Sequence, residues 1–127
     1  MKNIIYLMLS ILILIVVLDI ITYKYLEKTS DNLYAVFNAI KMDIKANKWD
    51  DAQNKINSSE KDWQKMSKKW AALIEHREIE EIELNIAKLK SFISTKNKDQ
   101  SMSILESIQM LIKHIPSNEK LSMENIL

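Results

Sequence analysis

The stretch IIYLMLSILILIVVL (residues 4–18) decides how the rest of the chain is read. Ser10 is its single polar side chain, and Lys2 stands just ahead of it. Carried on to residue 23, the segment is 20 residues long. At about 1.5 Å per residue, a helix of that length covers roughly 30 Å, the hydrocarbon thickness of a bilayer. A soluble helix keeps one polar face, and this one has none. Asp19 opposes insertion by about 2.5–3.5 kcal/mol, the apolar residues return about 5–7 kcal/mol together, and insertion wins. Asp19 also sits near one end of the span, and Tyr6, Tyr23 and Tyr25 flank the run as interfacial tyrosines do. Residues 1–23 therefore read as a transmembrane helix.

The segment following the run, Asp19-Ile20-Ile21-Thr22-Tyr23, lacks the small-x-small pattern of a signal-peptidase site. Without cysteine there is no lipobox. The expectation is an uncleaved signal anchor. Lys24 and Lys28 nearly balance Lys2 and the terminal amine across the span. A short basic N-terminus before an apolar run stays in the cytoplasm, which makes this a single-pass protein of the cell membrane with residues 24–127 extracytoplasmic.

About 100 residues remain beyond the anchor, enough for one small domain. Setting Lys2 and Asp19 aside, 17 basic residues face 16 acidic ones. That balance argues against nucleic acid as a partner, because phosphate binding relies on basic excess. Charge is uneven locally: residues 41–70 carry eight lysines against five acids, and residues 75–83 carry five glutamates against Arg77. The two blocks read as complementary solvated faces of neighbouring helices, or as an electrostatic docking patch. Glycine is absent, where a chain of this length averages about nine. That excludes glycine-built phosphate loops and dinucleotide-binding turns. Long helices on short Asn/Lys/Asp connectors fit the composition.

Apolar spacing supports the same class. Leu26, Leu33, Phe37, Ile40 and Ile44 form one helical stripe with no breaker between it and the anchor, so the first helix is expected to run on into the domain and end near Ala46-Asn47-Lys48. Asp31 and Asn32 are positions where it could fray. A second stripe runs from Trp49 through Ala52, Ile56, Ser59, Trp63, Met66 and Trp70 to Leu73, with Asn47 as its expected N-cap. The phase then slips at Glu75-His76-Arg77-Glu78, by a kink or a tight break, before Ile79, Ile82, Ile86, Leu89 and Ile93. Residues 94–99 form a connector. A last helix carries Met102, Leu105, Ile108, Ile112 and Ile115, with Pro116 as its stop and residues 121–127 folding back as a short turn. The expected fold is all-α: a transmembrane helix continuing into a small antiparallel bundle of three to four helices (residues 24–127).

Trp63 and Trp70 seven apart, then His76-Arg77-Glu78-Ile79, and a closing Asn125-Ile126-Leu127 resemble the domain-of-unknown-function family 4363. The resemblance spans most of the chain. It implies a small bacterial membrane-anchored helical protein, common in spore formers, and it supplies no activity. It points to an accessory role beside a larger membrane protein in spore or envelope biology.

Residues that could carry chemistry are sparse. His76 and His114 are the only histidines, and no HExxH pattern surrounds them. His76 and Glu80, four apart, offer at most a weak two-point grip on a metal, and His76 reads first as a capping or hydrogen-bonding residue. His114, in the last turn of its helix, suits the negative end of the helix dipole. No serine lies in a nucleophile elbow. Trp63 and Trp70 read as core, or else as an aromatic surface for a protein, a glycan or lipid. Asp19, as an intramembrane carboxylate, is a candidate for pairing with a partner. The reading is of a non-enzymatic interaction protein with no metal or cofactor, for which Trp63, Trp70, His76, Glu78 and Asp19 are the positions of interest. Its partners would be the lipid bilayer and an integral membrane or envelope protein. The alternative is an extracytoplasmic ligand-sensing module built on a cleft between helices.

Overall fold

Hydrophobic spacing of three and four along nearly the whole chain, with no glycine and one proline to interrupt it, leaves helix as the available regular structure. The computed structural model describes the backbone of residues 1–126 and the side chains of residues 1–118. It contains α1 (Lys2–Lys45), α2 (Trp49–Trp70), α3 (His76–Ser94) and α4 (Lys98–Ile126). α1 packs on α2 and α4, and α3 packs on the same two, whereas the diagonal pairs do not meet among the described residues. The result is an antiparallel four-helix bundle in up-down-up-down order, from which the first half of α1 projects.

α1 is 44 residues long, about 66 Å at the helical rise. It passes Asp31 and Asn32 without fraying. Its buried side chains begin at Leu26 and continue through Ser30, Leu33, Phe37, Ile40, Asp43 and Ile44. The facing stripes are Ala52, Ile56, Ser59, Trp63, Ser67 and Trp70 on α2, and Ile79, Ile82, Ile86, Leu89 and Ile93 on α3. On α4, Leu105, Ile108, Ile112 and Ile115 join the same core. The expected stripes on all four helices thus merge into one core.

Two of the three turns end a helix in the same way. Asn47 N–H bonds to the Ile44 carbonyl and Lys48 N–H to that of Asp43; Lys96 N–H bonds to Ile93 and Asn97 N–H to Phe92. Both are Schellman closures, which need a left-handed residue after the helix. With no glycine in the chain, Asn47 (φ 60°) and Lys96 (φ 55°) take that conformation. Asn47 therefore closes α1 rather than capping α2, whose N-cap is Lys48 without a side-chain bond. Asn97 does cap α4, its Oδ1 accepting the Gln100 N–H at 3.2 Å. Lys98 Nζ joins these two turns at one end of the bundle, donating to the Lys45 carbonyl and to Asn47 Oδ1.

The third turn, residues 71–75, differs. α2 ends at Trp70 and α3 restarts at His76, so residues 49–94 form two helices, and the break falls just before the expected slip. No left-handed residue is used; the Leu73 and Ile74 amides bond back to the Trp70 carbonyl.

Pro116 does not stop the last helix. It lies inside α4, which continues to Ile126, so a helix takes the place of the expected short return turn. Packing of the side chains beyond residue 118 lies outside the described residues. A proline inside a helix deprives the carbonyl four residues earlier of its N–H partner, here that of Ile112. Ser30 Oγ of α1 donates to that carbonyl at 2.7 Å, in a buried contact. A bond between helices replaces one lost within a helix.

Candidate functional site

The largest exposed apolar surface is the first half of α1. From Ile4 to Ile21 its large apolar side chains, Val16 apart, are between 40% and 65% exposed. Contiguous exposed apolar surfaces are rare on soluble monomers. The segment is long and apolar enough to cross a membrane. Its one hydroxyl is satisfied internally: Ser10 Oγ donates to the Tyr6 carbonyl at 2.8 Å. Asp19 is partly covered and makes no ion pair among the described residues.

Where this segment meets the bundle, the core is aromatic. Trp63 and Trp70 are both buried and meet edge to face, with ring centroids 5.5 Å apart and an interplanar angle of 84°. Trp70 Nε1 donates to Thr29 Oγ1 at 3.1 Å, and that hydroxyl in turn donates to the Tyr25 carbonyl at 2.9 Å. Burying an indole requires a partner for its N–H, and for Trp70 the partner sits on α1. Trp63 Nε1 is buried with no partner among the described residues. Both tryptophans are core residues, and neither presents an aromatic face to solvent.

Beside Trp63, α2 and α3 leave an open groove of about 450 Å³. Trp63, Ile86 and Ala87 line it together with Glu60, Gln64, Glu83 and Lys90. Lys90 Nζ reaches Glu60 Oε2 across it at 3.3 Å. Half-exposed, this ion pair adds little stability.

The remaining positions of interest are at the surface. His76 opens α3 and pairs through Nε2 with Glu80 Oε1 at 3.1 Å, with 78% and 63% of the two side chains exposed. The N-cap of that helix is Glu75, not His76. Glu78 Oε1 accepts from Asn118 Nδ2 at 3.1 Å, tying the start of α3 to α4. Among the described residues, no group of three or more His, Asp or Glu side chains comes together in a way that could hold a metal ion. The structure therefore joins Trp63 to Trp70, while His76 pairs with Glu80 and Glu78 with Asn118. Sequence reading missed the Ser30–Ile112 contact and the buried Asp43, which Lys55 Nζ neutralises. The available signal was Ser30 itself, a small polar residue at a core-phase position inside the seven-residue gap between Leu26 and Leu33.

The profile of a domain of unknown function, DUF4363, matches residues 20–126. The chain belongs to this family. The matched region holds the entire bundle and begins near the end of the exposed apolar segment, so membership accounts for the helical domain and brings no activity with it. No curated protein and no solved structure matches the chain.

Proposed function

We propose that this DUF4363 protein is a non-enzymatic accessory protein, held in the cell membrane by residues 1–23 and presenting its bundle outside the cytoplasm to an integral membrane or envelope partner. One observation carries the reading: an unbroken helix whose first half is largely exposed and predominantly apolar and whose second half forms one side of a packed core. Rigid continuity between the two halves fixes the bundle at the membrane surface and raises its local concentration there. His76, His114 and most carboxylates lie scattered over exposed faces, and the buried Asp43 is paired with Lys55, which supports a role without catalysis. Envelope or spore biology is the setting that the family resemblance suggests. Crosslinking in native membranes tests the proposal. Recovery of a specific membrane-protein adduct is the expected result, and recovery of monomer alone overturns it.

A second reading, a ligand-sensing module, draws on the α2–α3 groove with Trp63 in its wall. A thermal-shift screen of small molecules against the protein separates the two. A stabiliser whose effect is lost in Glu60→Ala and Lys90→Ala would favour sensing.

A further inference from the structure

The two ends of the bundle are chemically unlike. The turns at the far end are Ala46-Asn47-Lys48 and Thr95-Lys96-Asn97, polar and locked by Schellman bonds. The turn at the anchor end opens Ala71-Ala72-Leu73-Ile74, four residues without a polar side chain. Ala71 and Ala72 are exposed, and Leu73 and Ile74 are only partly covered where they pack against the core. Helix connections in water are normally polar, as the other two here are.

Its height above the apolar segment follows from helix register. Trp70 contacts Thr29, and α2 runs antiparallel to α1, so the residues after Trp70 lie level with about residues 25–28 of α1. That is two to five residues past Tyr23, about 3–8 Å at the helical rise. A headgroup layer is about 5–8 Å thick on each side of the hydrocarbon. The turn thus falls within the interfacial layer when residues 4–23 span the bilayer. Charge at this level fits an anionic surface: Lys24, Lys28, Lys68, Lys69 and Arg77 stand against Glu27, Asp31 and Glu75 within residues 24–31 and 68–77. All five cations are exposed.

We infer that the α2–α3 turn is a second membrane contact, with Ala71–Ile74 seated among lipid headgroups and Lys68 and Lys69 bound to anionic lipid, so that the bundle rests on the bilayer instead of standing clear of it. This rests on the anchor reading, and the test separates the two. The chain has no cysteine, so a single environment-sensitive fluorophore can be placed in the full-length protein at Leu12→Cys, Ala72→Cys or Lys96→Cys. The proteins are reconstituted at low density into phosphatidylcholine vesicles with and without phosphatidylglycerol. Nitroxides carried on the headgroup or deep in the acyl chain serve as quenchers.

The expected pattern is deep quenching at position 12, headgroup quenching with a blue-shifted emission at 72, and a water-like probe at 96. Quenching at 72 should rise with phosphatidylglycerol and fall at least twofold in Lys68→Glu/Lys69→Glu. Quenching at 12 with position 72 as wet as position 96 overturns this inference and leaves the anchor standing. No deep quenching at 12 removes the anchor and the inference with it. A signal at 72 that depends on protein density assigns the turn to a second copy of the chain and overturns the lipid assignment. Equal quenching with and without phosphatidylglycerol overturns the role given to the lysines.

Discussion

Ser10 and Ser30 lie on the same unbroken helix, yet their hydroxyls serve different structures. Ser10 Oγ bonds to the Tyr6 carbonyl one turn back, where an exposed apolar surface surrounds it. Ser30 Oγ leaves its own helix and bonds to the Ile112 carbonyl that Pro116 has left without an amide. The contrast holds for whole halves. Up to Ile21 most large apolar side chains of α1 face outward; from Leu26 onward Leu26, Leu33, Phe37, Ile40 and Ile44 form a buried stripe on the side packed against α2 and α4, with Tyr34, Val36 and Met42 outside it. Hydrophobicity alone does not separate the halves. Polar residues do, because the second half alternates apolar positions with Glu27, Lys28, Asp31, Asn32, Asn38 and Lys41, giving a wet side and a dry one. A helix with a dry side packs on other helices, and the half without a wet side is long and apolar enough to cross a membrane.

The largest effect should come from separating the two halves of α1. Residues 24–127 should be soluble without detergent, strongly helical and cooperative in unfolding, while the full chain should stay in membranes through alkaline extraction. Circular dichroism and fractionation check both outcomes, and a full chain released to the supernatant would erase the distinction. Next in size is Trp70→Ala, which removes a fully buried ring, its edge contact with Trp63 and its bond to Thr29. It should cost about 3–5 kcal/mol in denaturant unfolding of the bundle. Leu12→Ala, the matching truncation on the exposed half, should leave the bundle midpoint unchanged. Equal losses at the two sites would mean that the first half packs on the domain.

Most of the fold was legible because spacing carries it. The stripes on α2 and α3 were read directly, and α1 was followed through to Lys45. The failures share a cause: tertiary contacts overrode a local rule. Pro116 is a helix stop by propensity, yet Ser30 meets the carbonyl it frees, and no local window contains both residues. Asn47 is a good N-cap by type, yet a chain without glycine needs it in the left-handed position. The α2–α3 break is marked in the sequence by the slip of apolar phase at Glu75–Glu78; only its start at Ala71 is not, because Ala71 and Ala72 are strong helix formers. The candidate positions were less legible than the fold. The tryptophans showed their spacing but not whether they were covered, and the histidines and carboxylates showed their types but not how far apart they would lie.

The serines provide a finer test. Ser30→Ala leaves a buried carbonyl unpaired and should cost about 1–3 kcal/mol. Ser10→Ala removes a bond that its own helix supplies and should change stability by less than about 0.5 kcal/mol. Pro116→Ala returns an N–H to Ile112, so the loss from Ser30→Ala should shrink in that background. A double-mutant cycle by chemical denaturation reads the coupling, and strict additivity would show that the serine and the proline act independently.

One substitution at the far end should produce a gain. Lys96 holds φ 55° because the Schellman closure of α3 requires it, and its side chain makes no hydrogen bond among the described residues. A non-glycine residue there bears about 1–2 kcal/mol of left-handed strain. Glycine removes the strain but adds freedom to the unfolded chain, which returns part of the gain. Lys96→Gly should therefore stabilise the bundle by about 0.5–1 kcal/mol, visible as a raised denaturation midpoint with an unchanged slope. Ala72→Gly, in the turn that uses no left-handed residue, should destabilise instead. Opposite signs at the two ends would confirm that the far turns are held by backbone geometry and the anchor-side turn by its side chains and surroundings.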